Sequence, residues 1–256
     1  FRLNLSCCKA FNADFDGDEM NMHFLQTHLA LSDVKQNLMV EHNVMNPQNS
    51  KPIIALAMDS LLSSYLFTRD TFIERKDVMN LLMDVKYTKI TSLPKPAIYT
   101  KNGPLWTGKQ IISIILPDQL NMTKSVRSLC DPDIMNSDKF VNIQNGQLLS
   151  GTLCKETLGS SKNSIVHMIC SQMNERCVIE FLSDIQRILT RFMDGHGFSI
   201  GLHDCCPSKK AKLAVDTAIS RCKNMCDYVN NDTSLSSETQ NSVITGLLGK
   251  LLTLAG

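Results

Sequence analysis

The sequence has little net charge and no long apolar run. Its 26 Lys and Arg residues nearly balance 25 Asp and Glu, which gives a formal net charge of +1 over 256 residues. A near-neutral chain carries no strong basic field for nucleic acid. It has neither a run of about 18 apolar residues nor a leader with a basic start and an apolar middle. We therefore predict an intracellular protein with no membrane partner, whose charge acts locally and not as one field over the whole chain.

The ten cysteines include no Cys-x-x-Cys pair. Structural zinc sites usually bring their ligands in short paired spacings. In a reducing compartment we expect most of these cysteines to pack as small buried hydrophobes. The nearest approach to a zinc cluster, which stays open as an alternative, combines His203, Cys205, Cys206, Cys222 and Cys226.

What the sequence does contain is a concentrated acidic segment. Asp14, Asp16 and Asp18 stand at alternate positions, and Glu19 follows them directly. Unit charges a few ångströms apart repel each other by about 1 kcal/mol per pair even in water, and by more inside a protein. The segment therefore predicts a bound cation.

The spacing of these aspartates also constrains the backbone. In a straight strand, residues i and i+2 lie about 6.6 Å apart, which is too far for three oxygens on one ion. The chain must curl, and Gly17 permits the curl. Mg²⁺ accepts a few carboxylates and keeps positions for water and substrate phosphates. We predict that Asp14, Asp16 and Asp18 form such a partial shell.

The acidic segment has two other interpretations. A calcium EF-hand loop needs its glycine at position 6 and a glutamate at position 12; counted from Asp14, the glycine is at position 4 and Leu25 at position 12. A solvated acidic turn stays open. Against it, Phe15 and Met20 interleave the acids, and residues 1–5 alternate apolar and polar, which predicts a half-buried strand.

The apolar periodicity predicts a chain that becomes more helical toward its end. Residues 88–108 and 117–160 are predicted to form loops with short strands, and Trp106 to pack at a turn. Thr71-x-x-Glu74 is a capping-box pattern that predicts a helix start. The predicted helices cover residues 27–39, 53–67, 72–85, 164–170, 175–193, 208–229 and 237–254.

Asn-Ala-Asp-Phe-Asp-Gly-Asp, at residues 12–18, resembles the active-site signature of the largest subunit of multisubunit DNA-dependent RNA polymerases. The similarity spans nearly the whole chain and leans toward the eukaryotic and viral branch. Leu25 and Met58 stand where the family usually has proline and glutamine. Further stretches similar to the family, in family order, are residues 1–6, 23–27, 46–52, 58–62, 69–74, 105–110 and 195–204.

The resemblance implies an α+β fold in three parts. Residues 1–42 would be the end of a double-psi beta-barrel with its metal loop, residues 43–206 a mixed pore domain, and residues 207–256 an antiparallel helical pair that begins the funnel. In the family the barrel starts upstream of this motif, and the bridge helix and trigger loop follow downstream. The resemblance therefore implies an internal fragment that is inactive when isolated.

The implied function is template-directed RNA synthesis by two-metal nucleotidyl transfer. Asp14, Asp16 and Asp18 would hold one Mg²⁺, and a second would arrive with the nucleotide. Asn12 matches the family asparagine near the ribose 2′-hydroxyl, although an asparagine that serves only the turn is the alternative. Glu19 would support the three metal ligands without binding the ion itself.

The family also implies the partners. These are the second-largest and smaller polymerase subunits, the DNA template, nascent RNA and ribonucleoside triphosphates. The location would be the nucleus for a cellular eukaryotic protein, and the cytoplasm or virion for a viral one.

Overall fold

The structure is a computed structural model that describes residues 1–69, 71–90, 92–126, 136–231 and 236–255. Asp70, Cys130 and the middle of the predicted connection 230–237 lie outside these residues. The chain divides into two compact units, Phe1–Gly197 and Phe198–Gly256. Both helices and strands are present, so the α+β class is confirmed.

The first unit contains most of the described helices. They are α1 (Cys8–Phe11), α2 (His28–Asp33), α3 (Asp59–Arg69), α4 (Arg75–Met83), α5 (Gly108–Ile115), α6 (Lys155–Leu158), α7 (Ile165–Gln172) and α8 (Glu175–His196).

The described strands form three small antiparallel sheets. In the second sheet the order is β3-β5-β4, and Ile73 pairs with Trp106. Trp106 is buried, as predicted, but it lies in a strand, and its Nε1 donates to the Pro94 carbonyl at 2.9 Å. The strands are β1 (Met45–Asn46), β2 (Lys51–Pro52), β3 (Phe72–Glu74), β4 (Ile98–Thr100), β5 (Gly103–Thr107), β6 (Met122–Ser125), β7 (Phe140–Gln144) and β8 (Gln147–Ser150).

Helix α8 runs through the core of the first unit and contacts α3, α4, α5 and α7. Its Ile185, Ile188 and Leu189 are fully buried at helical spacing, which is the pattern of a helix with one core-facing stripe. The Ser63 hydroxyl of α3 donates to the Leu189 carbonyl at 2.7 Å. These contacts therefore fix the position of α3 relative to α8.

The predicted helices with local capping signals are confirmed. Ser164 caps α7 by accepting from the His167 N–H, and Asn174 caps α8 by accepting from the Cys177 N–H. Helix α8 ends at His196 and is capped by Gly197, whose φ of 68° lies in the left-handed region that glycine tolerates.

Two predicted helix starts are wrong. The helix predicted from residue 53 begins at Asp59, because Met58 takes a left-handed φ of 49° and residues 53–57 run in irregular backbone into the core. The capping-box prediction at Thr71 fails because Phe72–Glu74 pairs with β5, so that α4 begins at Arg75. In the second case a long-range strand pairing overrides the local signal.

Helix α5 was missed, although its signal is present. Thr107 and Gln110 form a reciprocal capping box at its start. A Cβ on Gly108 would lie 1.8 Å from the Phe67 carbonyl oxygen of α3. Only glycine fits where α5 passes α3.

Near the N-terminus the structure differs from the predicted strand. Residues 1–4 have no regular structure, and none of the described strands pairs with them, so the alternating pattern has no ladder to join. The helix predicted for residues 27–39 is present as α2, continued by a π-helical turn at Val34–Leu38. Its Leu29 and Leu38 are exposed.

The second unit contains the two helices predicted at its end. They are α9 (Lys209–Asn231) and α10 (Ser237–Ala255), and they pack against each other. Only residues 232–236 separate the two helices in sequence. Long helices that contact each other across so short a connection run antiparallel. In α9, Cys222 is buried, whereas Met225 is exposed.

A buried carboxylate links α8 to the segment after α4. Asp184 has no exposed surface, and it accepts hydrogen bonds from the backbone N–H groups of Lys86, Tyr87 and Thr88 and from the Thr88 hydroxyl, at 2.8 to 3.2 Å. Charge-assisted bonds to backbone donors offset the cost of burying the carboxylate.

We expect Asp184→Asn to lower the free energy of unfolding by about 2–3 kcal/mol, because an amide NH₂ cannot accept from the N–H groups it would face. Urea denaturation of the chain measures this. Asp194→Asn, on the exposed part of the same helix, is the matched control and should stay within about 0.5 kcal/mol of the parent. Equal effects of both substitutions would contradict this role for Asp184.

Candidate metal site

The acidic loop leaves directly from α1. A 3₁₀ turn at Leu5–Cys7 runs into α1, and α1 ends at Asn12, whose φ of 51° is left-handed. The Ala13 N–H donates to the Cys8 carbonyl at 2.9 Å. Asparagine is one of the few residues that adopt this conformation at low cost, so the helix stops where the acidic loop begins.

Positive φ angles curl the loop, as the aspartate spacing predicts. Phe15 has φ 66° and Gly17 has φ 125°, a value that side-chain-bearing residues rarely adopt. The Asp14 N–H donates to an Asp18 carboxylate oxygen at 3.1 Å, which closes the loop on itself. The Asp16 N–H lies 3.4 Å from an Asp14 carboxylate oxygen.

The curl brings the three aspartates together. One carboxylate oxygen from each of Asp14, Asp16 and Asp18 lies within 4.8 Å of the others, and all three side chains are exposed. Hard carboxylate oxygens suit a hard divalent cation, for which Mg²⁺ needs ligand oxygens about 3 Å apart. Exposed side chains can rotate by the remaining distance, so the donor set fits the ion.

A small cavity of about 220 Å³ adjoins the loop. Its wall is mostly apolar, and Asp18 is the one charged residue in its lining. Phe15 is about half exposed, so it is less buried than we expected for an aromatic residue between acidic ones. The cavity is lined by Phe1, Leu3, Ala13, Phe15, Gly17, Asp18 and Met20.

The structure places the other candidate residues on the surface. Asn12, Glu19 and His23 are all exposed. Asn12 ends α1 with a left-handed φ of 51°, a conformation that asparagine adopts at low cost.

The zinc alternative finds no support. Within the described ranges, the three aspartates are the only group of three or more potential ligand side chains that lie close enough to share an ion. Cys205 and Cys206 are exposed, which corrects their expected burial, whereas Cys8, Cys154 and Cys222 are buried. Burial and the adjacent Cys8 raise the pKa of the Cys7 thiol, so Cys7 stays protonated near the loop.

Contacts with the rest of the first unit fix α1. The buried Ser6 approaches Gln186 of α8, with 3.4 Å between Oγ and Oε1, and its carbonyl accepts from the Ala55 N–H at 3.4 Å. The Lys9 ammonium donates to the Ser160 hydroxyl at 2.5 Å. Sequence reasoning missed these anchors, because the side-chain partners are 180 and 151 residues apart and no local pattern signals them.

No helix in the part of the chain that the structure describes is both long enough and apolar enough to cross a membrane.

Comparison with known proteins gives consistent matches along the chain. Residues 1–40 match the family model described as RNA polymerase Rpb1, domain 2, and residues 43–205 match that of RNA polymerase Rpb1, domain 3. Two similar relatives are DNA-directed RNA polymerase II subunits RPB1-B and RPB1-A of Trypanosoma brucei brucei. Each is 39% identical over 205 residues, which are 80% of this chain and 11% of the relative.

The chain thus spans about a ninth of the length of these relatives. The domain 3 match alone covers more than half of the chain, and the relatives extend the similarity at substantial identity. On this evidence the chain belongs to the family of RNA polymerase largest subunits, Rpb1.

Proposed function

We propose that this chain supplies the metal-binding loop and the pore portion of a DNA-directed RNA polymerase largest subunit. Residues 1–42 are assigned to the end of the active-site barrel, residues 43–206 to the pore domain and residues 207–256 to the start of the funnel. Template-directed RNA synthesis then requires the complete enzyme, and the isolated chain is inactive.

The observation that carries the proposal is the convergence of Asp14, Asp16 and Asp18 at the end of α1. The three carboxylates on the curled loop are exposed, so a cation that they hold would stay accessible to water and substrate. A structural metal cage encloses its ion, whereas a catalytic site keeps positions for substrate. The open arrangement is the one that nucleotide chemistry requires.

In this proposal Asp14, Asp16 and Asp18 hold Mg²⁺. When bound, that ion and a second one carried by the nucleotide supply Lewis-acid chemistry, which polarises the attacking RNA 3′-hydroxyl and neutralises the pyrophosphate leaving group. The three carboxylates orient the site. Phosphoryl transfer depends on positioning and charge neutralisation, so the chain needs no nucleophilic side chain.

Asn12 is proposed to contact the ribose. Its exposed amide follows α1 and lies two residues before Asp14, so that a nucleotide at the aspartates is within its reach. An amide that hydrogen-bonds the 2′-hydroxyl would favour ribonucleotides over deoxyribonucleotides. The same residue would then set both the loop geometry and the sugar preference.

The proposed partners follow from the family. They are the second-largest and smaller polymerase subunits, the DNA template, nascent RNA and ribonucleoside triphosphates. Since the relatives named above are subunits of RNA polymerase II, the nucleus is the proposed location in a eukaryotic cell.

Asp16→Asn tests the metal site. In a complete polymerase that carries this chain within its largest subunit, we expect nucleotide addition to fall by roughly a hundredfold or more, because an amide replaces a charged ligand. Primer extension at ordinary Mg²⁺ concentration measures it. Asp33→Asn, an exposed carboxylate in α2, is the control and should extend at the parent rate. Near-normal extension by Asp16→Asn would defeat the assignment.

A pair of substitutions separates the two roles of Asn12. Glycine keeps the left-handed backbone and removes the amide, whereas alanine removes the amide and also strains the backbone by about 1 kcal/mol. We expect Asn12→Gly to lower the ratio of kcat/KM for ribonucleotides to that for deoxyribonucleotides about tenfold, with Asn12→Ala slower in addition. An unchanged ratio in Asn12→Gly would restrict Asn12 to the turn.

A further inference from the structure

The position of the aspartate loop depends on how α1 is held. Helix α1 has four residues, and a helix this short is not stable on its own hydrogen bonds. The loop leaves α1 with no intervening linker, since the Asn12 and Ala13 N–H groups donate to the Lys9 and Cys8 carbonyls. A shift of α1 therefore moves the three carboxylates with it.

The exposed side chain of Lys9 makes a long-range contact from α1. Its ammonium donates to the Ser160 hydroxyl, and its carbonyl accepts from the Asn12 N–H at 3.3 Å. One residue thus both contacts a distant segment and forms the helix end from which the loop departs. The sequence separation of 151 residues makes this contact a tie between α1 and the segment after α6.

Ser160 sits in a segment whose backbone is itself fixed. The Lys124 ammonium donates to the Glu156 carbonyl at 2.7 Å and to the Lys162 carbonyl at 3.0 Å, so that it spans the segment. A Cβ on Gly159 would lie 2.4 Å from the Lys155 carbonyl oxygen, which shows how tightly the chain turns there. Ser160 is therefore a fixed point on the body of the first unit.

We propose that Lys9 and Ser160 are positioning residues for the aspartate loop: their hydrogen bond fixes α1, and thereby the approach of Asp14, Asp16 and Asp18 to one another. The inference rests on the proposed function. Neither residue is among the three carboxylates, so the pair acts through the backbone of α1 and not on the substrate.

The test uses complete polymerase with Lys9→Met, Ser160→Ala or both substitutions in the largest subunit. The first readout is hydrogen exchange of a peptide that covers residues 9–20, measured without nucleotide. The second is the Mg²⁺ concentration at half-maximal primer extension. Each single variant should raise both the exchange rate and this Mg²⁺ midpoint about two- to tenfold, the range for one hydrogen bond. The double variant should match the larger single effect, because both substitutions remove the same bond.

Lys9→Arg keeps a charged donor and should restore parent values. Ser171→Ala is the matched control, since that exposed hydroxyl donates within its own turn, to the Met168 carbonyl. Parent-like exchange and Mg²⁺ midpoint in Lys9→Met and Ser160→Ala would overturn the proposal. Lower thermal stability with an unchanged midpoint would overturn it as well, because a purely structural bond predicts that result.

The same assays distinguish this inference from the proposed function. If Asp16→Asn abolishes extension while Ser160→Ala behaves as the parent, the aspartate site stands and the positioning role fails. If Asp16→Asn extends normally, the proposed function fails whatever the result for Ser160.

Discussion

Mutual repulsion among three aspartates is the constraint around which the N-terminal part of this chain is organised. Asp14, Asp16 and Asp18 offer oxygens within 4.8 Å of one another, although like charges at that distance repel. The loop also holds Asn12, Phe15 and Gly17 at positive φ. Neither feature stabilises the loop by itself. A curled, charged loop persists where the surrounding structure fixes its ends, and a bound cation would reduce the repulsion among its carboxylates.

The carboxylates of this chain lie in two opposite environments. Asp184 is fully buried, and backbone N–H groups and one hydroxyl satisfy it, so that its charge stabilises the junction between α8 and the segment at Lys86–Thr88. The loop aspartates are exposed, and two of the contacts they accept come from within the loop. A satisfied carboxylate contributes to the fold. Exposed carboxylates that can still accept further ligands are able to bind a metal ion, including one that is bound to phosphate.

Local signals predicted much of the fold, and long-range pairing accounts for what they missed. Helices α7 and α8 follow from a capping Ser or Asn and an apolar stripe, both of which are local. Phe72–Glu74 carries a helix-start pattern but pairs with β5, and the decisive partner lies more than 30 residues away. The convergence of the aspartates was predictable because their spacing and Gly17 sit within one loop. The Lys9–Ser160 bond was not, because it exists only after the chain has folded.

Nucleotidyl transfer makes unusual demands on such a site. The chemistry needs no covalent intermediate on the protein, so a chain contributes by placing charge at the right point. Placement errors of about 1 Å can reduce rates by about a hundredfold. A residue that fixes the base of the aspartate loop can therefore affect catalysis without contacting any reacting atom, although its loss costs less than the loss of a ligand. In the proposed mechanism, Ser160 therefore acts together with the acidic motif, although the two are far apart in sequence.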